Sequence, residues 1–330
     1  MRSIFGLLER VGWLKIKKAV SETHLETAGR ESVIRLETIV KTGSPTIILP
    51  MQNVYAHFEE VLGEHTAHFL FPRTVSARIS PTCALFAIEP KGECTLEQII
   101  FRTVAIAKMY GWQSRVVRTH THFISALIKR VLGKLIVLHR PIQSVQRGRE
   151  LGEFTQELIC GLKESLRRAN IRCDDLCLSR NAGAEGGVVC LAHRDLGLPN
   201  IMVNEENDVF FIDPRAHVVS ACAVQRGARF ASPAIDLAGF AIGLARIELE
   251  IQRRQASFRL SAIQYVRHEI DGMLRDREIT PFLLRLSETV VWAGYAACQC
   301  SQCRDPCRAW LRQRSIMQAK QCLKALAPLA

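Results

Sequence analysis

The first ninety residues contain short runs in which apolar and polar side chains alternate with a period of two. This period sends successive side chains to opposite faces of an extended chain and predicts β-strands. The predicted strands are residues 32–40, 46–49 and 83–88, with a turn at residues 42–45. A helix is predicted from Asn53 to about Glu64, and an amphipathic helix is predicted over residues 1–10.

From about residue 96 the apolar residues recur at helical spacing. The predicted helices are residues 96–110, 122–139, 150–170 and most of the chain from residue 236 to its end. One segment interrupts them, because residues 188–191, 201–203 and 209–212 are short apolar runs typical of buried strands. The polar residues 204–208 predict a turn. The resulting hairpin is expected to bring Asp213 beside Asn200.

The interrupting segment carries polar residues suited to phosphoryl transfer. Residues 193–200 read His-Arg-Asp-Leu-Gly-Leu-Pro-Asn, and Asp213 follows the last apolar run. Phosphoryl transfer from ATP needs a carboxylate that orients the attacking hydroxyl group and accepts its proton. It also needs oxygen ligands that hold Mg²⁺ against the phosphates. Asp195 can be the carboxylate, and Asn200 and Asp213 can be the ligands.

This spacing resembles the catalytic loop H-R-D-x-x-x-x-N and the metal-binding Asp of protein kinases. Residues 232–238, Ser-Pro-Ala-Ile-Asp-Leu-Ala, resemble the D-L-A element of the aminoglycoside phosphotransferase and choline kinase-like family. In that family a Gly usually stands between the His and the Asp of the loop, whereas this chain has Arg194. The resemblance covers the ordered set of residues His193, Asp195, Asn200, Asp213 and Asp236.

The resemblance implies an α+β, bilobal, protein-kinase-like fold. A small β-rich N-terminal lobe with one main helix, residues 1–89, would clamp the nucleotide. A larger and mostly α-helical lobe, residues 90–330, would carry catalysis and acceptor binding. Asp195 would be the catalytic base, with His193 beside it in the catalytic loop and Asp236 as a brace of that loop. ATP and Mg²⁺ would be the cofactors, with Asn200 and Asp213 binding the metal and nucleotide.

The nucleotide clamp of such enzymes pairs a strand Lys with a helix Glu. Lys41, at the end of a predicted strand, and Glu59, on the predicted helix, are the candidates. If residues 46–51 form the equivalent strand instead, that strand contains no Lys. Glu89 begins the segment that resembles the family's hinge, whose backbone pairs with adenine. The glycine-rich phosphate loop is represented only by Gly29.

Three functions follow from these motifs. The leading hypothesis is an ATP-dependent phosphotransferase that acts on a hydroxyl group of a small molecule such as a sugar, an aminoglycoside or an amino alcohol. A pseudokinase, which binds a nucleotide or a partner without transferring phosphate, is the alternative favoured by the lack of a recognisable glycine-rich phosphate loop. A protein kinase is the third, although no A-P-E element follows Asp213.

Composition adds limits to these hypotheses. Apolar residues make up 48% and charged residues 23% of the chain, which is typical of a globular protein. No apolar run is long enough for a membrane span, and the start lacks a signal-peptide cleavage site, so a cytoplasmic location is expected. Twelve cysteines without an export signal indicate a reducing compartment. The sequence does not indicate an oligomeric state.

Two further clusters are open to a functional or a purely structural interpretation. Four cysteines, Cys298, Cys300, Cys303 and Cys307, could bind Zn²⁺, but their spacing lacks the two separated pairs of a usual zinc site. The net charge is +12, and residues 115–149 contain basic residues and no acidic one. That stretch is either a solvated helical face or an electropositive surface for phosphates. No groove-reading motif supports nucleic acid as a partner.

Overall fold

The protein is α+β in a computed structural model. The structure describes residues 15–27, 30–43, 45–79, 84–88, 92, 94–142, 147–172, 187–215, 229–252, 260, 262–298 and 306–329. The strands are β1 (Lys15–Thr27), β2 (Arg30–Gly43), β3 (Thr74–Ile79), β4 (Ala84–Ile88), β5 (Cys94–Thr95), β6 (Ile201–Val203) and β7 (Val209–Phe211). The helices are α1 (Pro45–Leu62), α2 (Glu64–Leu70), α3 (Leu96–Tyr110), α4 (Arg115–Leu138), α5 (Arg147–Ala169), α6 (Ala234–Gln252), α7 (Ile263–Arg275), α8 (Pro281–Cys298) and α9 (Pro306–Leu326).

The chain divides into two compact units. Unit 1 is Met1–Cys94 together with Met202–Ala216, and unit 2 is Thr95–Ile201 together with His217–Ala330. Unit 1 contains an antiparallel sheet in the order β1-β2-β4-β3. A second, three-stranded sheet has the order β5-β6-β7, and the division of the chain falls within β5 and β6.

Aromatic side chains form the described core of unit 1. The ring of Phe58, on α1, is stacked on that of Phe71 with 4.6 Å between their centroids. Tyr55 and Phe211 each meet Phe71 edge-on, at 6.0 Å. Edge-on and offset-stacked pairs stabilise beyond the area they bury. The cluster therefore fixes β7, which ends two residues before Asp213, against α1.

Unit 2 is helical, and its helices begin and end at residues that satisfy their terminal backbone groups. Thr95 Oγ1 accepts from Gln98 N at 3.2 Å, and Thr95 N donates to Gln98 Oε1 at 2.9 Å, which is a reciprocal capping box. Gly111, at φ 82°, ends α3. These local signals explain why the predicted bounds of this helix are confirmed. Helix α8 packs against α5, α6 and α9.

Several secondary-structure predictions are wrong. Residues 46–49 belong to α1 and not to a strand, because Pro45 suits the first turn of a helix and a short apolar run fits either structure. Residues 188–191 form no strand and make one isolated bridge, between Cys190 and Ala231. Strand β1 was not predicted. The helix predicted from His122 begins seven residues earlier, at Arg115.

Some predictions concern residues outside the described ranges. They are the helix over residues 1–10, Gly29, Glu89, and Cys300 with Cys303. Among the helices that the structure describes, none combines the length and the apolar character needed to cross a membrane.

Candidate active site

The segment that leads to Asp195 runs through the interior of unit 2 without regular structure. Its backbone is held by isolated hydrogen bonds, one or two at a time, to separate parts of the unit. Val188 N donates to Glu278 O at 2.7 Å, and Ile142 N donates to Val189 O at 2.8 Å. Cys190 and Ala231 exchange two bonds of 2.9 Å. The segment is thus fixed although it has no strand ladder.

Asp236, on α6, holds the beginning of the loop formed by residues 193–200. Its Oδ2 accepts from His193 N and its Oδ1 accepts from Arg194 N, both at 2.7 Å. Its Oδ2 also lies 3.0 Å from Nε2 of the buried His139. Both carboxylate oxygens are used in this way. The first residue of the helix has a separate acceptor, because Ala234 N donates to Ser232 Oγ at 3.3 Å.

These hydrogen-bond donors stabilise the negative charge of the buried Asp236 carboxylate. Burial alone would raise the pKa of the Asp236 carboxyl group, which has no exposed surface. The hydrogen bond from His139, the electrostatic effects of the His139 and His193 side chains, and the backbone N–H of His193 more than offset that penalty. The pKa of Asp236 therefore lies below its ordinary value, and the loop is anchored by a carboxylate.

His193 is fully buried, and its Nδ1 accepts from Asp195 N at 3.3 Å. The His193 side chain therefore supports the loop and helps to position the backbone of Asp195, two residues later. Asp195 itself is partly exposed. The arrangement places a half-accessible carboxylate on a fixed backbone.

Asn200 closes the loop. Its Nδ2 donates to the backbone oxygen of Asp195 at 2.8 Å and to Asp195 Oδ2 at 3.3 Å. Both partners can only accept, which assigns the amide nitrogen to this side. In the described part of the chain no group donates to Asn200 Oδ1, so this oxygen can act as a ligand.

Gly239 lets α6 approach the loop closely. A Cβ atom at this position would lie 2.8 Å from the carbonyl oxygen of Leu196, a backbone atom that cannot rotate away. Glycine is therefore required here by contact with the main chain that carries Asp195.

Asp213 lies in unit 1, directly after β7 and Ile212. Its φ is 59°, a left-handed conformation that Asp tolerates better than most residues. Its backbone N–H donates to the hydroxyl oxygen of Tyr55, on α1, at 3.2 Å. Burial raises the pKa of Tyr55 well above its ordinary value, so the phenol stays neutral. The hairpin of β6 and β7 that leads to Asp213 is as predicted, with Asp208 N bonded to Asn204 Oδ1 at 2.7 Å.

The predicted clamp residues fall on different elements of unit 1. Lys41 lies in β2, paired with Phe86 of β4, so the alternative strand without a Lys is wrong. Glu59 lies on α1, and its Oε1 is 3.3 Å from His68 Nε2. Glu89 is outside the described residues. The roles of these three residues stay predictions.

A small, partly open cleft within unit 2 adjoins the loop of residues 193–200. Side chains from the loop and from helices α3, α6 and α8 line it: Glu97, Leu198, Pro199, Gly243, Arg246, Ile247, Glu250 and Tyr295. The guanidinium group of Arg246 lies 3.7 Å from the ring centroid of Tyr295. A Cβ on Gly197, two residues after Asp195, would lie 3.8 Å from the Tyr295 hydroxyl group.

The cleft residues and Asp195 are electrostatically linked. Burial raises the pKa of Tyr295, and the charges of Asp195 and Glu97 raise it further against the opposing effect of Arg246. Burial also raises the pKa of Glu97, with Arg246 lowering it and Glu250 raising it. The cleft is thus a polar space at the side of the loop.

Sequence reasoning missed His139, Gly239, Tyr55 and Glu157, whose Oε2 lies 3.4 Å from Arg194 Nη1. His139 is 97 positions from Asp236, and no local pattern links them. Gly239 had a signal, because a glycine inside a helix is disfavoured unless a close approach requires it. Glu157 interrupts the apolar face of α5, which is also a usable signal.

The two other clusters have no assigned role. Helix α4 buries one face of the basic stretch, and its Lys129 Nζ lies 4.4 Å from the ring centroid of Tyr265. The described residues include no group of three His, Cys, Asp or Glu side chains placed to hold a metal ion. Two of the four clustered cysteines are outside those residues, so the zinc hypothesis stays untested.

No protein-family model and no curated protein matches the chain. Similar solved structures include a glucosamine kinase in complex with glucosamine, ADP and phosphate, at 12% identity and a TM-score of 0.44, over 96% of this chain and 79% of that one. An aminoglycoside-3′-phosphotransferase of type VIII matches at 12% identity and 0.35, over 91% and 93%. A choline kinase from Streptococcus pneumoniae matches at 10% identity and 0.39, over 96% of both chains.

Proposed function

We propose that the protein is an ATP-dependent phosphotransferase with a bilobal, kinase-like fold, in which Asp195 is the base. The observation that carries the proposal is the loop of Asp195, whose backbone and side chain are held by Asp236, His193 and Asn200 at 2.7–3.3 Å. A carboxylate that is fixed and yet partly exposed is suited to orient a hydroxyl group and receive its proton.

In the proposed reaction a hydroxyl group of the acceptor donates its proton to Asp195 as its oxygen attacks the γ-phosphorus of ATP. The bond from that phosphorus to the β–γ bridging oxygen breaks, and ADP leaves with the bond's electron pair. The proton is later released to solvent. Positioning and electrostatics supply most of the acceleration in this chemistry.

The donor set fits Mg²⁺, which binds oxygen ligands. Asn200 Oδ1 and the carboxylate of Asp213 are the proposed ligands, with the nucleotide phosphates completing the shell. Metal bound by these residues would neutralise the charge that develops on the phosphates. Lys41 is the proposed phosphate contact. Glu59 Oε2, which has no partner among the described side chains, is the oxygen that would pair with it.

The cleft beside the loop is the proposed acceptor site. It lies within the same unit as Asp195, and the Tyr295 pKa responds to the charge of that carboxylate. Its carboxylates, guanidinium group and phenol are suited to a small polar molecule with several hydroxyl groups. A small-molecule acceptor is therefore proposed over a protein.

The test is a screen of acceptors with the wild-type protein, ATP and Mg²⁺. Sugars, amino sugars, aminoglycosides, choline and nucleosides are each assayed for ADP release and for the phosphate ester of the acceptor. We expect one class to be phosphorylated. ATP that raises the melting temperature in a Mg²⁺-dependent manner, with no acceptor consumed, would instead indicate a binding module. Transfer to proteins alone would indicate a protein kinase.

The acceptor site is tested by Tyr295→Phe with Tyr265→Phe as the matched control. Each ring has a cation over its face, at 3.7 Å for Tyr295 and 4.4 Å for Tyr265, but only Tyr295 lines the cleft. We expect Tyr295→Phe to raise the acceptor KM about 5- to 20-fold with an unchanged KM for ATP, as loss of one hydrogen bond implies. An acceptor KM equal to that of the control would place the acceptor elsewhere.

A further inference from the structure

Arg194 has an unusual backbone conformation for its residue type. Its φ is 63°, in the left-handed region that side chains with a Cβ atom disfavour. A glycine would adopt this angle without strain. Strained residues persist where the surrounding structure determines their conformation, and they concentrate at functional sites. The side chain of Arg194 must therefore contribute something that glycine cannot.

That side chain is directed into the protein. Only 4% of its surface is exposed, and its Nη1 lies 3.4 Å from Oε2 of Glu157, whose side chain is 1% exposed. The guanidinium carbon is also 5.9 Å from the ring centroid of Phe154, one turn before Glu157 on α5. A buried charge is tolerated when a partner of opposite charge lies beside it, and Arg194 and Glu157 are such partners for each other.

Arg194 is consequently fixed through both its main chain and its side chain. Its backbone N–H is bound by Asp236 of α6 at 2.7 Å, and its guanidinium group is bound by Glu157 of α5. Asp195 is the next residue. A rotation of the peptide between them would have to break one of these two attachments, which restricts the direction of the Asp195 carboxylate.

We propose that the ion pair of Arg194 and Glu157 is a positioning device for Asp195. The inference rests on the proposed function for the role of Asp195, but not for the restriction of the loop. Neither residue touches the reacting atoms. The pair attaches the loop to α5, whereas Asp236 attaches it to α6, so loss of the pair removes the attachment to α5 and leaves that to α6.

The test replaces the pair by apolar side chains of similar size, in the double variant Arg194→Met/Glu157→Leu. Replacing both members removes the ion pair without leaving one of its two charges beside an apolar side chain, so we expect the fold to be retained. The matched control is Arg149→Met/Glu153→Leu, an exposed ion pair of 2.9 Å on the same helix. Melting temperature, kcat, the KM for ATP and hydrogen exchange of the amides of residues 193–200 are measured for both.

For the buried pair we expect a melting temperature close to that of wild type and an unchanged KM for ATP. We expect kcat to fall about 10- to 100-fold, the size of effect that misplacement of a reacting group produces. Exchange of the loop amides should be about tenfold faster. The control should change none of these quantities. Unchanged kcat and unchanged exchange in the buried-pair variant would overturn the proposal.

A second variant covers the case in which the double variant does not fold. Arg194→Lys keeps the positive charge beside Glu157 but loses the planar fork of donors, and should show a smaller fall in kcat at a retained melting temperature. Wild-type kcat and exchange in that folded variant would also overturn the proposal. If the wild-type protein transfers no phosphate, the proposed function fails, and hydrogen exchange alone then decides whether the pair restricts the loop.

Discussion

The two segments that carry the proposed catalytic residues are held by different kinds of interaction. The loop of Asp195 is held by buried charged groups, with Asp236 at no exposure and the pair of Arg194 and Glu157 almost as deeply buried. The contacts described for the segment of Asp213 are neutral or aromatic: the phenol of Tyr55 accepts from its backbone, and Phe71 packs on Phe211.

The difference predicts how each segment responds to mutation. Loss of one member of a buried charged network leaves its partners desolvated and unsatisfied, so the cost is large. Loss of a neutral hydrogen bond beside a partly exposed residue lets water replace the missing partner, so the cost is small. A single substitution among the supports of the Asp195 loop should therefore cost much stability, whereas one among the supports of the Asp213 segment should cost little.

The largest expected effect is that of Asp236→Ala. It removes the acceptor of two backbone N–H groups and of His139, and should lower the free energy of unfolding by about 3–5 kcal/mol. Activity should be lost with it, because the N–H groups of His193 and Arg194 lose the carboxylate that holds the start of the loop. Denaturant unfolding and turnover are measured, with the exposed Asp271→Ala as control. A stable, active Asp236→Ala protein would show that the network is dispensable.

Gly239→Ala should have the next largest effect. The added Cβ would lie 2.8 Å from Leu196 O and must displace the backbone of the loop, at a cost of about 1–3 kcal/mol and with a lower kcat. The control is Gly294→Ala, within helix α8, where a Cβ meets nothing within 4 Å. There the higher helix propensity of Ala should stabilise the protein by about 0.5–1 kcal/mol. Equal signs for the two variants would contradict the close approach.

Tyr55→Phe should have the smallest effect. The ring keeps its contact with Phe71, but the backbone N–H of Asp213 loses its acceptor, which should cost about 0.5–1.5 kcal/mol. The Mg²⁺-dependent part of ATP stabilisation should weaken without disappearing. The measurement is the ATP-induced rise in melting temperature with and without Mg²⁺. If Tyr55→Phe lowered the free energy of unfolding as much as Asp236→Ala does, the contrast between the two segments would be wrong.

The sequence predicts local structure well where local groups determine it. Helix α3 has a capping box at Thr95 and a glycine at its end, and its predicted bounds are confirmed. The hairpin of β6 and β7 follows from the polar turn at Asn204. The prediction of a strand over residues 46–49 is wrong because a short apolar run fits a buried strand or a helix, and only tertiary packing decides between them.

The roles of the candidate site residues stay predictions, and the sequence does not indicate the residues that support them. Asp195, Asn200 and Asp236 occur in a recognisable order, and the structure shows all three in one hydrogen-bonded loop arrangement in unit 2. His139 and Glu157 are distant in sequence from the loop, so only the folded chain reveals them. Arg194 stands where the motif that this loop resembles usually has a glycine, but its proposed role depends on Glu157, which no spacing rule connects to it.

The measurement that tests the account most directly compares turnover and ATP binding in Asp195→Asn. The change keeps the shape of the side chain and removes its ability to accept a proton, so the melting temperature and the ATP-induced stabilisation should match wild type. Turnover with the acceptor found by screening should fall about 10²- to 10⁴-fold, the contribution typical of a general base. Asp271→Asn, on an exposed face of α7, should leave both unchanged. Wild-type turnover in Asp195→Asn would contradict the assignment of the active site.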